Sequence, residues 1–97
     1  MSEDAQRCDV WLFRARLFKS RALATQFIES GKMRINRTGR VERLKKPSGL
    51  VRPGDRLIYM RGQRLMTVEV LGLSERRGPA SEAEALYRLE DTGDTRR

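Results

Sequence analysis

Histidine is missing from this chain altogether, and cysteine occurs once, at Cys8. A lone cysteine excludes an internal disulfide. With no histidine beside it, no ligand set for a transition metal remains. No apolar run approaches the roughly 18 residues that a membrane-spanning helix requires. The opening Met-Ser-Glu-Asp-Ala-Gln is polar and acidic, unlike a signal peptide. These absences are read together as a reducing, cytoplasmic setting with no metal and no cofactor. Paired carboxylates are lacking as well: Glu29, Glu42 and Asp55 lie scattered, so no acid and base stand ready for catalysis. A chain of 97 residues holds one core and leaves little room for a deep catalytic cleft. No catalytic residue is expected, and the chain is read as a binding protein rather than an enzyme.

Positive charge is what the chain has in excess. It carries 21 Lys and Arg against 13 Asp and Glu, a net charge of +8. Residues 1–65 hold 16 basic and 6 acidic side chains, a net of +10; residues 66–97 hold 5 and 7, a net of −2. Such asymmetry points to one basic region facing a polyanion, with a nearly neutral remainder. Lys32, Arg34, Arg37, Arg40, Arg43, Lys45 and Lys46 crowd into 15 positions with only Glu42 among them.

The hydrophobic pattern predicts an α+β domain over residues 7–90, with loose tails at 1–6 and 91–97. Asp9 is expected to cap a helix from Val10 to Phe18. Ser20 is expected to cap a second helix over 21–30, with Leu23, Ala24, Phe27 and Ile28 inward and Gly31 just past its end. After Gly31 the period changes from helical to alternating, and residues 32–36 read as a strand. The stretch 36–47 reads as a loop or irregular ribbon. Pro53-Gly54-Asp55 marks a turn, 57–60 a strand, and Gly62-Gln63 a hairpin connection into Leu65–Leu71. Arg76-Arg77-Gly78-Pro79 breaks the chain, and Ser81 is expected to cap a short last helix through Leu89 with Ala85 and Leu86 inward. Two N-terminal helices on a small, mostly antiparallel sheet follow, with Leu12, Ala15, Leu23, Phe27, Ile28, Ile35 and Val51 in one core.

Several pieces stand in a particular order: Arg7-Cys8-Asp9, Trp11-Leu12, Lys19-Ser20-Arg21 with Ala24 and Ile28, Gly31-Lys32-Met33, Ile35-Asn36, Lys46-Pro47-Ser48, Val51 and Pro53-Gly54-Asp55. The ordered set resembles the S4 RNA-binding domain. Arg16, Arg21-Ala22-Leu23-Ala24, Arg76-Arg77 and Pro79-Ala80-Ser81-Glu82-Ala83 add a narrower resemblance to the heat shock protein 15 family. That resemblance implies the S4-type (alpha-L) fold and binding to RNA, and also to DNA. It implies association with large ribosomal subunits that still carry a nascent chain. Three positions depart from the family pattern. Cys8 stands where leucine is usual, Arg37-Thr38-Gly39 replaces a glycine directly after Asn36, and the family's long basic C-terminal extension has no counterpart before Arg97.

The side chains suit that chemistry. An arginine fork grips a phosphate with two hydrogen bonds, and the unpaired N–H groups at a helix N-terminus attract one. The expected RNA-binding set is Arg7, Arg16, Lys19, Ser20, Arg21, Lys32, Arg34, Asn36, Arg37, Lys45 and Lys46. The resemblance singles out Arg7, Lys19, Ser20, Arg21, Lys32, Asn36 and Lys46 among them. Plainer roles stand beside these. Ser20 is a helix cap, Arg16 an ion-pair partner of Asp9 or Glu29, and Asn36 a turn residue. Trp11 and Phe18 are core, and Arg76 and Arg77 are a second phosphate site or a surface pair. The expected partner is ribosomal RNA of the large subunit, with tRNA or DNA as further ligands, no membrane, and a monomeric protein. A helix-turn-helix DNA-binding regulator is the alternative. Its second helix offers only Gln26 for base reading.

Overall fold

A computed structural model describes residues 4–90. The elements run β1 (Gln6–Arg7), α1 (Cys8–Arg14), α2 (Arg21–Glu29), β2 (Arg34–Arg37), β3 (Arg40–Arg43), β4 (Leu50–Val51), β5 (Arg56–Arg61), β6 (Arg64–Val70), α3 (Ala80–Ala83), a 3-10 turn (Glu84–Leu86) and β7 (Tyr87–Glu90). Five strands form one antiparallel sheet in the order β3-β2-β5-β6-β7, and β1 pairs with β4 apart from it. The α+β architecture, with two helices against an antiparallel sheet, is the one expected.

Helix α1 is shorter than the pattern suggests and begins earlier. Arg7, not Asp9, is its N-cap, and Asp9 lies within the first turn. Its C-terminus forms a Schellman motif: Leu17 N–H donates to the Leu12 carbonyl at 3.0 Å, and Arg16 N–H to that of Phe13 at 3.0 Å. The left-handed residue of that motif is Arg16, with φ 62°. Glycine usually takes this position, because a Cβ there is strained. An arginine hid the helix end, and the segment through Phe18 looked continuous. The turn carries Leu17 back into the core beside Leu12.

Helix α2 begins and ends as expected. Ser20 Oγ accepts from Leu23 N–H at 3.1 Å, and Gly31 follows with φ 82°. Its buried stripe is Ala24 and Ile28, with Phe27 partly buried, whereas Leu23 is 47% exposed and is not core. Met33, fully buried, joins that core. Leu12, Ala15, Ile28, Ile35 and Val51 are buried as expected. On the sheet, Ile35, Leu57 and Val68 lie side by side in register and face the helices.

The stretch 36–47 is not irregular. Arg37 pairs with Arg40 across a two-residue loop, Thr38-Gly39, with φ 54° and 84°. Positive φ at both central positions is the type I′ geometry that matches strand twist. Strand β3 is an edge with all four residues exposed, so no apolar alternation marked it. Gly62-Gln63 closes the β5-β6 hairpin as expected.

The C-terminal region also departs from expectation. Pro79, not Ser81, precedes the short helix, Ala83 rather than Ala85 is buried, and helical structure ends at Leu86. Tyr87–Glu90 then pairs with β6 as a sheet edge. At the other terminus Gln6, expected in a tail, pairs with Val51 and donates through Nε2 to the Ser74 carbonyl at 2.8 Å. The tail 91–97 lies outside the described residues.

Residues 72–78 form a strap fastened over α1. Trp11 Nε1 donates to the Gly72 carbonyl at 2.8 Å and Arg14 to that of Ser74 at 2.7 Å. Arg16 Nε donates to the Gly78 carbonyl at 2.7 Å. Arg77 returns the contact through Nε to the Phe13 carbonyl at 3.0 Å, its guanidinium 4.5 Å above the Phe13 ring.

Candidate nucleic-acid interface

One buried carboxylate organises the basic face. Asp9 is 1% exposed, yet it sits among two arginines whose own side chains are about half exposed. Arg7 grips it with Nε to Oδ1 at 3.1 Å and Nη2 to Oδ2 at 2.9 Å. The Thr25 hydroxyl donates to Oδ2 at 3.1 Å, and Arg21 Nε stands 3.6 Å from the same oxygen. Burial disfavours the ionised carboxyl. The hydrogen bonds from Arg7 and Thr25 and the charges of Arg7 and Arg21 outweigh it and hold the carboxyl below its ordinary pKa. Two arginines, from the edge of β1 and the first turn of α2, are thereby fixed beside each other with spare N–H groups toward solvent.

Backbone bonds tie the segment that carries two of the lysines to the start of α1, the helix that carries Asp9. Leu44 N–H donates to the Met33 carbonyl at 2.8 Å, which sets Lys45 next to the start of β2 and Lys32. Asp9 N–H reaches the Pro47 carbonyl at 3.3 Å, and Cys8 N–H that of Gly49 at 2.7 Å. The segment 44–49 is thus pinned at one end to the residue after Lys32 and at the other to the first turn of α1. Gly49 allows the close approach: a Cβ there would stand 2.7 Å from Leu44 Cδ1 and 3.1 Å from the Lys46 carbonyl oxygen. Lys32, Lys45 and Lys46 are exposed. Among the described residues they form no ion pair, and neither does Lys19, which precedes the Ser20 cap.

The remaining expected residues fall elsewhere. Arg16 pairs with neither Asp9 nor Glu29; its Nε is spent on the Gly78 carbonyl. Arg37 makes a bidentate bond to Asp55 at 3.1 and 2.8 Å and donates to the Leu50 carbonyl at 2.9 Å, tying β2 to β4. Arg34 and Asn36 lie on the outer face of the sheet, in the rows that also hold Arg43 and Arg56. Asn36 serves no turn, and its Oδ1 is buried without a hydrogen-bond partner. Arg76 pairs with Glu82 on the surface, while Arg77 belongs to the strap. The residues that sequence reasoning missed are the positioning ones, Asp9 and Thr25. Their only trace was an acid two residues after Arg7 in an otherwise basic stretch.

The arrangement can hold an extended polyanion and offers little for catalysis. Burial pushes the Cys8 thiol well above its ordinary range, aided by the charges of Asp9 and Asp55, so it is no nucleophile. Among the described residues no three His, Cys, Asp or Glu side chains gather to hold a metal. No described helix is long and apolar enough to cross a membrane.

The chain is similar to known proteins. The S4 domain model matches residues 6–57. Heat shock protein 15 of Escherichia coli K12 is 42% identical over 81 residues, 84% of this chain; the chain spans 57% of that relative's length. The RQC P-site tRNA stabilizing factor of Halalkalibacterium halodurans is 36% identical over 83 residues, covering 86% of this chain and 88% of that protein. The solved structure of heat shock protein 15 from Vibrio cholerae, described as trimeric, superposes with a TM-score of 0.76 at 35% identity, covering 89% of this chain and 82% of that one.

Proposed function

Because this chain belongs to the S4 domain family, we propose that it binds structured RNA of the ribosome without catalysing a reaction, in the quality control of stalled subunits. The observation that carries this reading is the Asp9-centred face. Arg7 and Arg21 are clasped by one buried carboxylate, with the unpaired Lys32, Lys45 and Lys46 pinned next to them. A fixed array of cations reads the shape of a folded RNA backbone rather than its sequence. Ser20 and the N-terminus of α2 add N–H groups to the same array. Of the eleven side chains expected in the site, Arg16 and Arg37 act through the fold, holding the strap and β4.

The finer target is ribosomal RNA of a large subunit that still holds a nascent chain, in the cytoplasm. A P-site tRNA named for the Halalkalibacterium relative is the natural neighbour there. None of the relatives named above mentions DNA. The exposed face of α2 offers Arg21, Ala22, Leu23, Gln26 and Glu29, of which only Gln26 suits base reading, so duplex DNA serves as the control ligand.

Crosslinking in cells followed by sequencing of the bound RNA tests the proposal. Reads concentrated on large-subunit rRNA and tRNA support it; reads spread evenly over messenger RNA contradict it. The monomer expected from the sequence meets a Vibrio relative described as trimeric. Sedimentation of the free protein decides which assembly presents the face.

A further inference from the structure

A second feature borders the basic face. Phe18, Phe27 and Tyr59 form an aromatic cluster with ring centroids 5.5, 5.9 and 5.7 Å apart, all tilted or edge-to-face. They line an open cleft of about 330 Å³, with Leu17 beside them and Lys19 and Arg61 at its rim. Phe18 and Phe27 are only partly buried. A domain this small gains stability by burying aromatic rings completely, so two rings left at the wall of a cleft are available to a ligand. Lys19 and Arg61 form no ion pair among the described residues.

Tyr59 backs the cleft from the core at 3% exposure, and its hydroxyl is buried with no hydrogen-bond partner among the described residues. A buried hydroxyl without a partner costs free energy. Burial pushes its pKa up to about 12, so it keeps its proton and stays a donor at neutral pH.

We propose that this cleft receives one unstacked nucleobase from a single-stranded RNA segment, with Lys19 and Arg61 taking the flanking phosphates. The inference rests on the RNA-binding reading and extends it from backbone to base. Aromatic walls suit the π-face of any base, and rim cations suit the phosphates on either side. The cleft is continuous with the proposed face through Lys19, whose neighbours Ser20 and Arg21 begin α2. A strand whose backbone is held at the start of α2 has Lys19 as a cation shared with the cleft.

The test compares two probes, a decauridylate and a blunt RNA duplex with the same number of phosphates per strand. They are titrated against the wild-type protein, Phe18→Leu and Tyr59→Phe. Phe18→Leu keeps an apolar side chain and removes the ring. It is expected to weaken the decauridylate on the order of tenfold and leave the duplex unchanged. Tyr59→Phe is the control: it removes only a hydroxyl that is buried behind the cleft, and it is expected to leave both probes unchanged. Ultraviolet crosslinking of decauridylate to the wild-type protein needs no variant, and mass spectrometry is expected to find uridine on Phe18 or Phe27. Equal weakening of both probes, no weakening of either, or crosslinks confined to residues 32–46 overturns the base site and leaves backbone binding standing. A wild-type protein that binds neither probe overturns the RNA reading along with it.

Discussion

Replacing Asp9 by Asn keeps the shape of the side chain and removes its charge. The structure sets the size of the effect. Breaking a fully buried ion pair costs about 3–5 kcal/mol, because the abandoned charge stays buried. Here the two arginine side chains are 46% and 52% exposed, so water takes up most of what they lose. What remains is the loss of charge-assisted hydrogen bonds from Arg7 and a weakened one from Thr25, about 2 kcal/mol. In a domain of this size that lowers Tm by roughly 10 °C. The dependence on pH is sharper evidence than the size. The folded-state pKa of Asp9 lies below its ordinary value of 3.8. Its stabilisation is therefore present in full above that value and lost as pH falls through the folded-state pKa. Urea melts of the wild type and Asp9→Asn should differ at pH 7 and converge under strong acid. Equal stabilities at pH 7, or a gap that persists unchanged in acid, would refute the clasp.

Two further outcomes follow from local geometry. Ser20→Ala removes the acceptor for Leu23 N–H and is expected to cost about 1 kcal/mol in urea unfolding; an unchanged midpoint would mean that solvent caps α2 equally well. The buried Cys8 thiol, its pKa raised, should resist a thiol reagent in the native protein at neutral pH and react at once in denaturant. Rapid native labelling would show that α1 and the strap open far more easily than their contacts imply.

Elements with a strong local signal were legible in the sequence. Ser20 and Gly31 bracket α2 because a side-chain cap and a left-handed glycine are the cheapest ways to satisfy helix ends. Gly62-Gln63 announced its hairpin for a similar reason. Legibility failed where an uncommon residue took a common role. Arg16 occupies a position usually left to glycine, and the carbonyl it reaches is 62 residues away. Strand β3 has no buried residue and so no pattern. Strand β7 follows directly on a helical turn, and its pairing with β6 depends on tertiary contact rather than local preference.

The proposed face was legible as a count of charges but not as a partition. Sequence could not tell Lys32, Lys45 and Lys46, which form no ion pair among the described residues, from Arg37, which is locked to Asp55. That distinction depends on which carboxylates the fold carries to which cations.

The central claim is that Lys32, Lys45 and Lys46 face RNA phosphates while arginines held by surface carboxylates do not. The direct measurement is the salt dependence of binding to purified large ribosomal subunits for two variants: Lys32→Ala/Lys45→Ala/Lys46→Ala, and, as the control, Arg76→Ala/Arg88→Ala, whose arginines pair with Glu82 and Glu69. Each lost phosphate contact lowers the slope of log K against log salt by about 1, so the triple variant should lose about 3 and the control none. A control variant that loses slope, beside a triple variant that keeps it, would contradict the account.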